Sequence, residues 1–272
     1  MAKEHASHRD AAIVRLADGT VKQKNLLTGT EVWTVPGRGN RPLASRTHEP
    51  EPVDHAAHGH HCAFCEGRYL ETPPEKSRLV VDHGTWRQLD ALPADQLHAT
   101  TAEFRRIPNL FEIVSYNYWH LNHGHVPSEA EHRRMAEYLA SDTGYDHVMK
   151  LVHTRMVAAG MDEDAFAAMS DSEKLQFANG FFSGGHDVIV ARRHFVDGAT
   201  DDSQLASSGT LTPEEHFHYL NFTADSMADL YGLDPAVRYV SAFQNWLKPA
   251  GASFDHLHKQ LVAIDEHSVQ TE

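Results

Sequence analysis

The segment Gly251-Ala252-Ser253-Phe254-Asp255-His256-Leu257-His258-Lys259-Gln260 sets two imidazoles and a carboxamide at alternate positions, ahead of the apolar run Leu261-Val262-Ala263-Ile264. Alternate side chains on a β-strand share one face, so a strand over 256–264 would aim His256, His258 and Gln260 the same way. A neutral imidazole can ligate a metal or attack phosphorus, and a neighbouring amide can orient phosphate oxygens without adding repelling charge. The pattern predicts phosphoryl or nucleotidyl chemistry.

Histidine is abundant, with 22 residues, and His-x-His recurs at His58/His60, His123/His125 and His216/His218. The pattern alone therefore identifies nothing, and context must discriminate. His216 and His218 fall on a predicted helix, where neighbours two apart diverge, and read as surface decoration. His58 and His60 lie in a polar, His-rich stretch, and His123 and His125 flank the turn-forming Gly124. Only His256 and His258 combine strand character, an amide and a small-residue approach. The two cysteines, Cys62 and Cys65, have the spacing of half a tetrahedral zinc site, which takes two further ligands, commonly histidine. His194 and His256 are the best-placed partners because both sit at predicted strand ends. No apolar strand precedes Cys62 and no helical pattern follows it, which argues against a thioredoxin-like redox pair.

These residues need a frame. Strands are predicted at 13–16, 31–35, 79–81, 111–115, 187–191, 238–246 and 256–264, from β-branched and aromatic runs bounded by turn residues. Between Ser128 and Asn179, apolar residues recur at three- and four-residue spacings, which predicts a helical insertion. Thr212-Pro213-Glu214-Glu215 is a capping box with proline at the first helical position, opening a helix that Gly232 should stop. The expected class is α+β with an antiparallel sheet. We divide the chain into 1–126, a helical insertion at 127–180, and 181–272, which carries the His-x-His-x-Gln strand. With 24 Lys+Arg against 38 Asp+Glu, the formal charge of −14 excludes a surface that gathers nucleic acid or acidic lipid by long-range attraction. No apolar run has membrane-spanning length and the start is polar, so a soluble cytoplasmic protein is expected.

Five separated blocks together resemble the galactose-1-phosphate uridylyltransferase branch of the histidine-triad superfamily. Asn25 to Pro42 looks like the family's opening strand and basic turn, where Arg38 and Arg41 match two arginines that contact nucleotide phosphates. Cys62-Ala63-Phe64-Cys65 is similar to its zinc-binding pair, and Ile107-Pro108-Asn109 to its nucleoside-contacting segment. Gly185 to His194 resembles the strand ending in a zinc-ligating histidine. Gln244-Asn245, Gly251-Ala252-Ser253 and His256 to Gln260 match the active-site block. In place of the usual His-Pro-His-Gly-Gln stands His-Leu-His-Lys-Gln, whose Leu257 and Lys259 should face away from the site.

The resemblance implies a histidine-triad-like sheet and a structural Zn2+ on Cys62, Cys65, His194 and His256. It makes His258 the nucleophile, gives Ser253 and Gln260 the phosphate oxygens, has Asn245 brace the loop, and puts Arg38, Arg41 and Asn109 on the nucleotide. It implies a nucleotidyltransferase that passes a nucleotidyl group from a nucleoside diphosphate derivative, such as a nucleotide sugar, through a nucleotidyl-histidine to a phosphorylated acceptor. Gln260, standing where histidine-triad hydrolases have a third histidine, favours transfer over hydrolysis. A dinucleoside polyphosphate or nucleotide phosphorylase and a non-catalytic, zinc-bound nucleotide-binding module are the alternatives. A hydrolytic zinc enzyme would need an open coordination position. The likeness covers one histidine-triad repeat where the family carries two, so sugar specificity is not implied. It also allows a homodimer.

Overall fold

The computed structural model describes residues 12–26, 29–36 and 49–267. Arg38 and Arg41 lie outside the described residues. Three short strands, β1 (Ile13–Arg15), β2 (Val21–Lys24) and β3 (Glu31–Thr34), pair in order as a small antiparallel sheet. The main sheet comprises β4 (Ser77–Asp82), β5 (Thr85–Asp90), β6 (Phe104–Pro108), β7 (His186–Ala191), β8 (Tyr239–Phe243) and β9 (His258–Ile264). Its spatial order is β5-β4-β6-β7-β9-β8, and every pair is antiparallel. The chain is thus α+β, an antiparallel sheet flanked by helices.

Six helices lie between β6 and β7: α1 (Tyr116–His123), α2 (Glu129–Leu139), α3 (Asp142–Ala158), α4 (Glu163–Ala168), α5 (Asp171–Gln176) and α6 (Asn179–Ser183). Their starts are set by local chemistry. The side chains of Ser115, Ser128, Ser141, Asp162 and Ser170 each accept a backbone N–H from the first turn. Val148, Leu151 and Val152 of α3 bury with Tyr138, Phe166, Phe181 and Phe182 in a core of their own.

The last helix, α7 (Pro213–Tyr231), starts at the expected Thr212–Glu215 capping box and stops at Gly232. Its buried stripe, Tyr219, Phe222, Thr223, Ser226 and Leu230, follows helical spacing. Tyr219, Phe222 and Leu230 pack with Phe104, Ile189, Leu257, Leu261 and Ala263 into the principal core. One face of the sheet is therefore closed by α7. Strands β6 and β7 are buried along their entire lengths, and the charges they carry are paired. Arg106 donates to Asp187 at 2.7 Å, Lys76 reaches Asp187 at 2.8 Å, and Arg106 also bonds Asp229 of α7.

Four expectations need correction. The stretch Phe111–Ser115 is not a strand. The side-chain oxygen of Asn109 accepts the Phe111 N–H at 2.9 Å, which turns the chain, and Ser115 is already committed to capping α1. The strand there is β6, slightly upstream. Strands β2 and β5, not predicted, are rich in Lys, Gln, Arg and Asp, the first half-buried and the second mostly exposed, so they lack an apolar signature. β9 begins at His258 rather than His256, and β8 ends at Phe243, short of Trp246. His216 and His218 are not mere decoration: His216 Nε2 lies 2.6 Å from the Ser208 carbonyl, and His218 stacks on Trp86 at 4.2 Å. Gly124 ends α1 at φ 75°, a left-handed conformation favouring glycine. No helix among the described residues is long and apolar enough to cross a membrane.

Candidate functional site

Cys62 and Cys65 close a tight turn, the Cys65 N–H donating to the Cys62 carbonyl at 3.0 Å, just ahead of a 3-10 helix (Glu66–Glu71). His194 follows β7 by three residues and is tied down by the Ala206 N–H on its carbonyl at 2.9 Å. His256 sits in the lead-in to β9, where the Ala191 N–H bonds the Leu257 carbonyl at 3.0 Å and extends the β7–β9 ladder. Three separate parts of the fold thus converge on one point. The two sulfurs are 3.8 Å apart, His256 Nδ1 is 3.5 Å from Cys62 Sγ and 3.7 Å from Cys65 Sγ, and His194 Nδ1 is 3.4 Å from Cys65 Sγ.

A tetrahedral ion with metal–sulfur bonds of about 2.3 Å and metal–nitrogen bonds of about 2.0–2.1 Å requires edges of about 3.8 Å (S–S) and about 3.6 Å (S–N). The observed distances match, and all four donor atoms lie within 4.8 Å of one another. The tautomer matches as well. His256 Nε2–H donates to the Ala191 carbonyl at 2.6 Å, so Nδ1, facing the sulfurs, carries the lone pair. The hydrogen bond from Cys62 pushes the Cys65 thiol well down against the effect of burial, with help from His194 and His256; the same bond, joined by burial, pushes Cys62 up. One proton leaves this pair readily while the second resists, as two buried sulfurs sharing a charge should behave, and a dication relieves that resistance. The cluster can bind a metal, with the donor set of a closed four-coordinate site.

His258 opens β9 opposite Val190, and Gln260 lies opposite Val188. Their shared face is floored by Phe64, Ile107, Val188 and Val190, and the Phe64 ring stands 5.2 Å from the His258 ring. His258 Nδ1–H donates to the His256 carbonyl at 2.7 Å, which leaves Nε2 as the nitrogen with the lone pair. Gln260 Oε1 is 3.2 Å from His186 Nε2 and 3.5 Å from Asn109 Nδ2. Leu257 is buried in the principal core, and Lys259 Nζ stands 4.1 Å over the Tyr219 ring, so both leave this face. Burial lowers the Lys259 pKa.

The structure therefore brings together Cys62, Cys65, His194, His256, His258, Gln260 and Asn109. Ser253 is exposed in the loop between Gly251, which takes φ 83°, and His256. Asn245, half-buried just past β8, makes no hydrogen bond to the other described site residues. His186 carries no signal of its own in the sequence: its block resembles a zinc-ligand strand, and only the pairing of β7 with β9 and of the Asn109 N–H with the His186 carbonyl (2.8 Å) reveals where it lies.

Fold and site together define an α+β protein with a Cys2His2 metal-type centre two residues from a strand-borne histidine. Residues 16–272 match the family described as Domain of unknown function (DUF4921), and the chain belongs to that family. Among solved structures it is similar to an ADP-glucose phosphorylase from Arabidopsis thaliana crystallised with bound ADP-glucose. The two are 19% identical with a TM-score of 0.38, over 91% of this chain and 49% of that one. The chain thus spans about half the length of that structure. No curated protein matches.

Proposed function

We propose that the protein is a nucleotidyltransferase of the kind its sequence blocks resemble, working through a covalent nucleotidyl-histidine on a nucleoside diphosphate derivative. One observation carries the reading: His258 is held by its Nδ1–H on the His256 carbonyl, so that Nε2 is the nucleophilic nitrogen of a buried, oriented ring. Nε2 forms a bond to the α-phosphorus as the bond from phosphorus to the bridging oxygen breaks. That oxygen leaves with the electron pair, on a phosphorylated group. No proton need move, because the positive charge that develops on the ring strengthens the Nδ1–H bond already in place. A phosphate oxygen of the acceptor then reverses the step.

Gln260 and Ser253, with the backbone at Gly251-Ala252, hold the non-bridging oxygens in this scheme. Arg38 and Arg41 contact nucleotide phosphates, Asn109 contacts the nucleoside and Asn245 braces the loop. Cys62, Cys65, His194 and His256 would hold a zinc ion with four protein ligands, which would brace the segment from which His258 projects. The protein works in the cytoplasm, where the thiols stay reduced, and pairs as a homodimer.

The test is intact-protein mass after incubation with UDP- and ADP-sugars and dinucleoside polyphosphates. Wild-type protein gains one acid-labile nucleotidyl mass. His258→Ala gains none yet keeps about one metal per chain. An adduct on His258→Ala sinks the nucleophile assignment, and nucleotide binding without any adduct in the wild type indicates a non-catalytic module.

A further inference from the structure

His186 is fully buried at the start of β7, and its hydrogen bonds fix which way it works. The Ile113 N–H donates to His186 Nδ1 at 2.8 Å. A backbone N–H can only donate, so Nδ1 carries the lone pair and Nε2 the proton. Gln260 Oε1, 3.2 Å away, is an acceptor placed to receive that proton. Asn109 is fixed just as firmly. Its Oδ1 accepts from the Phe111 N–H at 2.9 Å, which turns its Nδ2 donors toward Gln260 Oε1 at 3.5 Å. The 3.1 Å approach of Asn109 Nδ2 to His186 Nε2 is then two donors side by side, converging on one acceptor.

We propose that His186 is a positioning residue that locks the Gln260 carboxamide with its oxygen inward and its NH2 toward the face where His258 lies. The inference rests on the nucleotidyl-transfer reading of that face. An amide has two orientations of nearly equal shape and opposite electrostatics. Oxygen inward, it offers two donors to the phosphoryl oxygens. Reversed, it sets a carbonyl dipole against them. His186 makes the reversed state a clash of donors and so decides the sign of the contact, while touching no substrate itself.

Two substitutions separate the ends of the imidazole. His186→Asn keeps an acceptor near Nδ1 for Ile113 but has no donor at the Nε2 position. His186→Gln places an amide donor there. Removing one donor to a developing oxyanion lowers rates by roughly 10²–10³-fold, so an unlocked but present amide should lose about tenfold. We expect His186→Asn to slow formation of the His258 adduct about tenfold with nucleotide affinity and metal content unchanged, and His186→Gln to restore most of the rate. In a Gln260→Ala background, His186→Asn should change the rate less than about twofold, because coupled residues are non-additive. A wild-type rate in His186→Asn, or the same tenfold loss in both backgrounds, overturns the proposal.

The Gln260 Cδ NMR resonance, which moves with the hydrogen bonds its oxygen accepts, reads the lock without nucleotide. It should shift in His186→Asn and return in His186→Gln, and an unmoved resonance also overturns the proposal. Wild-type protein that forms no adduct sinks the functional reading alone, since the resonance still decides the lock.

Discussion

Replacing Asp265 by Asn should loosen the attachment of the small three-stranded sheet, and by an amount the structure supplies. Asp265 is 11% exposed; its Oδ1 lies 2.9 Å from Lys22 Nζ, and its Oδ2 accepts from Tyr118 OH at 2.7 Å and lies 3.0 Å from His123 Nε2. Lys22 in turn sits 4.0 Å over the Trp33 ring, and Trp33 stacks on Tyr118. Burial alone would raise the carboxyl pKa, but His123, Lys22 and Tyr118 override it and bring it from 3.8 to about 2. At 1.36 kcal/mol per unit, this contributes about 2 kcal/mol. The folded pKa is depressed, so the contribution is fully present above the unfolded value near pH 4 and disappears as pH falls through about 2. The assay is hydrogen exchange of the β2 amides (Val21–Lys24) with urea denaturation, for wild type and Asp265→Asn, from pH 7 to pH 2. The variant should be weaker by about 2 kcal/mol at neutral pH and converge on the wild type at the acid end. A gap that is constant across pH, or absent at pH 7, refutes the reasoning.

Cys65→Ala removes the sulfur closest to His194, so metal content measured by atomic emission should fall well below one per chain, and adduct formation should fall with it. Lys259→Met should leave adduct formation within about twofold, because the ammonium stands over Tyr219 on the α7 side. Only a melting point lower by a few degrees is expected from losing a contact of about 1 kcal/mol. A large rate loss in Lys259→Met would place that side chain on the wrong face.

Most of the residues that the structure brings together at the candidate site were legible because they depend on residue type and on short spacing. Cys62 and Cys65 three apart, and His256 and His258 two apart, need only a turn and an extended segment to point usefully. The capping box at Thr212 and the helical period between Ser128 and Asn179 are likewise local signals. What escaped was non-local. Phe111–Ser115 has strand composition, yet the Asn109 side chain accepts the Phe111 N–H, His186 Nδ1 accepts the Ile113 N–H, and Ser115 caps α1. The polar strands β2 and β5 form because partners present themselves, and no alternation in their own sequence announces them. His186 is 74 residues from Gln260 in sequence, and nothing about a histidine opening a buried strand specifies which nitrogen bears its proton.

His256 and His258 show how one side chain is oriented in two opposite ways by the backbone alone. His256 gives its Nε2–H to the Ala191 carbonyl and so turns Nδ1 to the sulfurs. His258 gives its Nδ1–H to the carbonyl of His256 itself, so the lone pair falls on Nε2. The acceptor that sets the tautomer of the second ring therefore belongs to the residue that the metal would hold. Fixing the His256 ring fixes its peptide, and with it the oxygen on which His258 is aligned. In the proposed scheme a cation held by the four ligands would have no open coordination position and would act on the reaction only by bracing, through the single hydrogen bond of 2.7 Å that joins the His256 carbonyl to the His258 ring.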